Sequence, residues 1–346
     1  MRFQFGRPKP AEDATPHQPQ PQPQPQESVA TPSDILAGLK AIQNGAKGLA
    51  AAGGWVFLIN DTNDFLSWQL GLKRWSNDEK AAVQKIMDER AERLSGRYYQ
   101  MFICPEKSIV YRDYLPAGLD AIPPFDDRPA TTMTRMRPDI VHYLADRFEA
   151  LKRLGVLFFR GDTHVNWTGA YHLYREAILA LRARGAPVGE PLTFNQLQHF
   201  IAGMEGDVLM QLPEAAKDAF EVDASLARVG NMLELVISHT LPAARKRARQ
   251  VRTPEGFMPG GGGRETVIME QDDKSLPTAL IFRDSTATLS VELLAHHFSR
   301  SVFVWHDGDV IGDLIDSEQP DVILHFVAER FLASYPRSKA INYILP

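Results

Sequence analysis

The chain has 346 residues, 44% hydrophobic and 23% charged, with a formal net charge of −5 from 38 basic and 43 acidic side chains. That composition excludes a fibrous or wholly disordered protein and leaves room for two domains or one large α/β domain. The slight acidity argues against a nucleic-acid-binding protein, whose footprint is a basic excess. The single cysteine, Cys104, excludes an intrachain disulfide and a cysteine metal cluster.

The first residues, Met1 to Pro8, contain no apolar run of signal-peptide type, and no stretch reaches the length of a membrane span. The expectation is a cytoplasmic protein with no integral membrane segment. Residues 8–32 are rich in alternating proline and glutamine. Proline fixes φ and removes backbone donors, so residues 1–33 are expected to be a disordered or polyproline tether, with a folded domain over 34–346.

Trp55 to Ile59 reads as a buried strand. Ser76 carries an N-cap signal for a helix to Leu94, with Val83, Ile86 and Met87 on one face. Tyr98 to Ile103 is a second strand, with Cys104 expected to pack rather than react. A helix is expected over Pro138 to Leu151, a strand over Val156 to Phe159 and a helix over Ala170 to Arg182. From Ala279 on come a strand to Phe282, a helix from Thr288 to Phe298, strands Val302 to Trp305 and Asp321 to Leu324, and a helix from Phe326 to Leu332. Such alternation implies a mostly parallel sheet covered by helices on both faces.

The alternation lapses over 187–277, which reads as an insertion or lid. It holds a predicted helix from Ala224 to Val236 and a basic run, Arg245 to Arg249, expected at a solvated helix end. The four glycines after Pro259 lack a following Gly-Lys-Ser/Thr and read as a loop rather than a phosphate cradle.

Two segments carry candidate chemistry, each expected at a strand end, where open α/β sheets place their sites. One contains Asp162, Thr163 and His164; the other Arg283, Asp284 and Ser285. A carboxylate two residues from a histidine can orient Nδ1 and leave Nε2 as a base, and a serine before a helix can serve as its nucleophile. A helix N-terminus there would favour a developing oxyanion. The competing reading makes both segments helix caps, with Asp284 and Ser285 as N-cap residues. A metal site would need further ligands, and Asp207, His199 and His239 show no metal spacing.

The stretch from Gly161 to Ala170 resembles the Asp-Thr-His-Trp-Asn-x-x-Gly-Ala signature of the alginate O-acetyltransferase (AlgJ/AlgX-like) branch of SGNH hydrolase-like proteins. Phe282 to Ser285 resembles that branch's serine block. Supporting stretches are Gly54 to Leu58, Pro105 to Tyr111 with Tyr114 to Pro116, and Pro320 to Ile323 with Glu329 and Arg330. Val165 stands where the signature has tryptophan, with Trp167 two positions later, and Thr286 replaces a phenylalanine. The resemblance implies a flavodoxin-like three-layer α/β/α domain with a circularly permuted block order.

It also implies acetyl transfer onto hydroxyls of a polysaccharide or glycan precursor. Ser285 would be the nucleophile, His164 the base and Asp162 its orienter. Asn60, Arg283 and Thr286 are the candidates for oxyanion or substrate binding, with no metal and no cofactor. The expected partners are a glycan acceptor and an acetyl donor, a membrane acyl-carrier protein or a small ester, and relatives that modify exported polysaccharides place such work in the periplasm or at the surface. An acetylesterase with the same triad and an idle glycan-binding scaffold are the competing functions.

Overall fold

A computed structural model describes residues 31–43, 46–59, 63–208, 211–213, 233–257, 266–305 and 308–344. Most of the Pro/Gln tract, Asn60, the start of the predicted helix at 224 and the glycine run lie outside the described residues.

The elements in chain order are α1 (Pro32–Gln43), β1 (Gly48–Ala50), β2 (Val56–Leu58), α2 (Phe65–Gln69), α3 (Asn77–Arg93), β3 (Tyr98–Cys104), α4 (Lys107–Val110), α5 (Pro129–Met136), β4 (Val141–Tyr143), α6 (Ala145–Leu151) and α7 (Trp167–Ala183). Strands β5 (Gln198–Glu205), β6 (Leu233–Thr240), β7 (Arg249–Val251), β8 (Val267–Glu270), β9 (Thr278–Arg283), β10 (Arg300–Trp305) and β11 (Val322–Ala328) follow, with short helices Val291–Ala295 and Gly312–Glu318 among them.

The main sheet has the order β4-β3-β11-β9-β10-β8-β7 among the described residues. Its first five strands are parallel, and β8 and β7 extend it antiparallel. In chain order the parallel strands lie 2-1-5-3-4, so the last strand occupies the centre, where a flavodoxin sheet has 2-1-3-4-5.

Period-two alternation sorts each strand between two cores. Phe102, Ile281, Phe303, Leu324 and Phe326 pack with α6, α7 and Leu293–Ala295. Met101, Ile103, Leu280, Phe282, Val302 and Val327 pack with α3, α5 and Leu314–Ile315. Helices thus cover both faces, the expected three layers. Each buried aliphatic side chain contributes about 1.5–3 kcal/mol, so the two-sided core dominates stability.

Helix α3 begins as its sequence directs. Ser76 Oγ accepts from Glu79 N (3.1 Å) and Glu79 Oε2 from Ser76 N (2.7 Å), a reciprocal cap. Ser76→Ala is expected to lower unfolding free energy by about 1 kcal/mol, read from the urea midpoint at unchanged m-value. Helix α1 starts at Pro32, inside the segment expected to be a tether. Proline suits a first helical turn, and Thr31 Oγ1 accepts from Asp34 N (3.2 Å).

The structure corrects several expectations. Trp55 to Ile59 lies in the separate β1–β2 hairpin, not the main sheet. Pro138 to Leu151 is not one helix: Val141–Tyr143 pairs with β3 as an edge strand, and α6 takes only the apolar spacing of Phe148 and Leu151. Val156 to Phe159 makes only the bridge Phe158–Val165. Its backbone is satisfied by side chains, Asn166 Nδ2 bonding Val156 O (2.8 Å) and Lys107 Nζ bonding Phe159 O (3.1 Å), so it needs no neighbouring strand.

Residues 233–236, predicted helical, belong to β6, which pairs antiparallel with β5. Of the basic run, Arg245 ends a 3₁₀ turn and Arg249 opens β7, so it is not a helix end. Thr288 to Phe298 divides into a 3₁₀ turn, Ser285–Ser290, and the helix Val291–Ala295. Phe326 continues β11, and the following turn, Glu329–Arg337, is 3₁₀. No helix among the described residues is long and apolar enough to cross a membrane.

Candidate active site

Arg283, Asp284, Ser285 and Thr286 lie at the carboxyl end of β9. Asp284 follows β9 directly. Its Oδ2 accepts from Ala328 N at the end of β11 (2.6 Å) and its Oδ1 from Thr286 N (2.8 Å). Asp284 is therefore the N-cap, as the capping reading held, and it also ties β9 to β11. Ser285, half-buried, opens the 3₁₀ turn. Ser290, closing that turn, donates to Ala170 O in the first turn of α7 (3.0 Å).

Beyond Ala328, the buried Arg330 Nη1 bonds both oxygens of Glu106 (2.9 and 3.1 Å), just past the end of β3. Glu106 is followed by Lys107, also buried, whose Nζ bonds the carbonyls of Phe159 (3.1 Å), Arg160 (2.8 Å) and Asp162 (2.7 Å). An ammonium donating to three carbonyls is fully satisfied and fixes the 159–162 turn. Lys107 and the Glu106–Arg330 pair were not singled out for a role from sequence, although both lie in the supporting stretches of the resemblance.

Within that turn Asp162 is buried, and its Oδ1 accepts from both His164 N (2.8 Å) and His164 Nδ1 (2.5 Å). Burial works against the Asp162 carboxylate, but the hydrogen bond and charge of His164, with the backbone N–H groups of Asp207 and His164, hold its pKa below the ordinary value. Burial likewise works against a charged His164, yet the Asp162 hydrogen bond and charge, and then Asp207, raise its pKa; Arg330 opposes them. His164 Nε2 is buried and makes no hydrogen bond, to Ser285 or to any other group, among the described residues. A histidine held at Nδ1 with Nε2 unbonded has the tautomer and the free lone pair that a base needs.

Asp207, Asp162 and His164 bring ligand-type atoms within 4.8 Å of one another. The Asp207 oxygens accept from Thr163 N and Oγ1 (both 2.7 Å), and those of Asp162 from His164 and from Asp207 N, so protein donors already engage the cluster. His199 and His239 face each other across the β5–β6 pair, with Nδ1 atoms 2.9 Å apart, and neither is among those three.

The remaining candidates divide. Asn60 lies outside the described residues. Thr286 is buried, and its N–H is taken by Asp284. Arg283 is buried against the Trp305 ring at 5.1 Å, with Nη1 donating to Asp284 O (3.2 Å) and Thr288 Oγ1 (3.0 Å); burial lowers its pKa. Cys104 is buried as expected, and burial pushes its thiol pKa up. An open cleft of about 580 Å³ lies beside the end of β4, lined by Arg112, Arg128, Tyr143, Asp146 and Glu149 among others.

No family model and no curated protein matches the sequence. Solved structures do match the fold. Bacillus cereus PatB1, also solved with a sulfonyl adduct, is 13% identical with a TM-score of 0.56 over 82% of this chain and 96% of that one. A DHHW family protein from Eubacterium siraeum is 15% identical, with a TM-score of 0.53 over 84% and 97% of the two chains. The O-acetyltransferase domain of Pseudomonas putida AlgJ is 14% identical, with a TM-score of 0.50 over 83% and 92%. The chain therefore shares the α/β fold of these solved structures.

Proposed function

We propose that the chain is a serine O-acetyltransferase acting on glycan hydroxyls, with Ser285 as nucleophile, His164 as base and Asp162 as its orienter. The observation that carries this reading is the buried Asp162–His164 pair, with Nδ1 held by the carboxylate and Nε2 without a hydrogen bond among the described residues. The Ser285–His164 hydrogen bond that completes a triad is not made in this structure; such bonds tighten when substrate enters.

Ser285 Oγ attacks the donor's acetyl carbonyl while His164 Nε2 takes the hydroxyl proton. The tetrahedral intermediate expels the donor's oxygen or sulfur, which recovers that proton, and acetyl-Ser285 remains. An acceptor sugar hydroxyl then gives its proton to His164, attacks the acetyl-serine, and frees Ser285 with the proton returned. Asp162 holds Nδ1 throughout and balances the imidazolium.

The fold likeness to a domain described as an O-acetyltransferase supports transfer. The cleft beside β4, lined by charges of both signs and by hydroxyl groups but by none of the three proposed catalytic residues, has the polarity that an oligosaccharide acceptor needs. The donor is an acyl-carrier partner or a small acetyl ester. The central position of the last strand fits a permuted order of the SGNH blocks.

The test is labelling with a sulfonyl fluoride or a fluorophosphonate, followed by peptide mass mapping. The adduct is expected on Ser285, forming faster as pH rises through a limb above about 6.5, because the base must be neutral and His164 holds its proton more tightly than usual. An unlabelled Ser285, or a rate indifferent to pH there, would overturn the triad. With an acetyl ester and a glycan present, acetylated sugar in excess of free acetate marks a transferase; free acetate alone marks an esterase.

A further inference from the structure

Asp207 belongs to the 187–277 region and is remote in sequence from both motifs, yet it makes three hydrogen bonds to the Asp162–His164 turn. Its backbone N–H donates to Asp162 Oδ2 (3.0 Å), the oxygen that His164 does not use. Its carboxylate accepts from Thr163 N and from Thr163 Oγ1 (both 2.7 Å), gripping the residue between Asp162 and His164. Its Oδ2 lies 3.9 Å from His164 Nδ1.

The segment carrying Asp207 is built into place. Val208 N donates to Gly161 O (3.1 Å), and Gln211 Nε2 donates to Asp207 O (2.8 Å). Val208 and Leu212 are buried against Val56 of β2. A Cβ at Gly48 of β1 would come within 2.7 Å of Val208 O, so that close approach requires glycine. The β1–β2 hairpin, residues 206–208 and residues 211–212 together brace the turn from outside the main sheet.

We propose that Asp207 is a positioning residue for the His164 base, fixing the Asp162–His164 turn through Thr163 and placing a second negative charge beside the imidazole. The inference rests on the proposed role of His164. The charged groups facing that ring are Asp162 and Asp207, with Arg330 opposing them and Lys107 bound to the Asp162 carbonyl. Removing the Asp207 charge therefore leaves Asp162 as the remaining anion against Arg330, and the imidazolium loses stabilisation.

Asp207→Asn keeps an amide oxygen to accept from Thr163 N and an amide that can face Thr163 Oγ1, so it removes charge with little loss of shape. Asp207→Ala removes both, and Asp207→Glu restores charge. The His164 imidazole is followed by NMR titration, its signal assigned by loss in His164→Gln. The pH profile of ester hydrolysis is measured in parallel. In Asp207→Asn the His164 titration is expected to move to lower pH, and the acid limb of the rate with it, so a several-fold larger share of the plateau rate survives at the acidic end. Asp207→Ala is expected to show the same displacement with a lowered plateau, and Asp207→Glu to recover the wild-type limb.

A titration of His164 unchanged in Asp207→Asn overturns the proposal, as does a plateau that falls with the limb in place, the mark of a purely structural contact. A displaced titration in a chain whose wild type hydrolyses and transfers no acetyl group sinks the acetyl-transfer reading while the hold of Asp207 on His164 stands.

Discussion

Ser285→Ala is expected to bring hydrolysis of p-nitrophenyl acetate down to the buffer rate, and Asp162→Asn to lower it by about 10⁴-fold. The first variant removes the only atom that can carry the acyl group in the proposed mechanism. The second acts through geometry. Oδ1 of Asp162 accepts from His164 N and Nδ1, and Oδ2 accepts from Asp207 N. An asparagine must point its NH₂ at one of these two donor sets, so either His164 loses its orienting acceptor or the tie to Asp207 breaks. A hydrolysis rate near wild type in either variant, with thermal unfolding unchanged, would end the proposed mechanism.

The same pair links chemistry to stability. Asp162 has its pKa lowered on folding, so its contribution is present above the unfolded carboxylate value and fades as pH falls through the folded one. His164 has its pKa raised, so its contribution is full below the unfolded histidine value and fades as pH rises through the folded one. The ion pair therefore stabilises the fold best between about 4 and 6.5. The base works above that window, where His164 is neutral. Activity is gained on the limb where this part of the stability is given up.

The sequence made the sheet legible because its strands are buried on both faces and flanked by turns. Tyr98 to Ile103, Ala279 to Phe282 and Val302 to Trp305 all lie where periodicity placed them. Val156 to Phe159 misled because a buried apolar run need not be a strand if side chains meet its carbonyls, and nothing local announces that Lys107 will do so. At Ser285 the capping reading describes Asp284 correctly without excluding the nucleophile, since the two roles fall on adjacent residues. The Asp-x-His spacing was sufficient to place a carboxylate on Nδ1, a contact made within one turn of chain. Asp207 was visible only as an acid without a metal pattern, because its link to Thr163 depends on how residues far apart in sequence fold back.

Gly169→Ala is expected to destabilise the fold by about 2–3 kcal/mol and to lower Tm by roughly 3–5 °C. In an open helix the change would be favourable by about 1 kcal/mol. Here a Cβ would stand 2.1 Å from Leu157 O and 2.9 Å from Val165 Cβ, neither of which is the end of a flexible side chain. Leu157 cannot retreat easily, because its carbonyl accepts from Asn166 N (2.9 Å) and its N–H donates to Tyr111 Oη (2.9 Å). Asn166 in turn caps α7 through Gly169 N (3.0 Å), so the displacement spreads into the cap. Gly38 in α1 is the control: a Cβ there meets nothing within 4 Å, and Gly38→Ala should raise stability. If Gly169→Ala melted with the wild type, the close approach of α7 to the 157–165 hairpin would not be what requires glycine. If it melts early, the motif's glycine has a physical role. It lets the first turn of α7 sit against the hairpin that carries His164, and the next residue, Ala170, then presents its carbonyl to Ser290 at the end of the Ser285 turn.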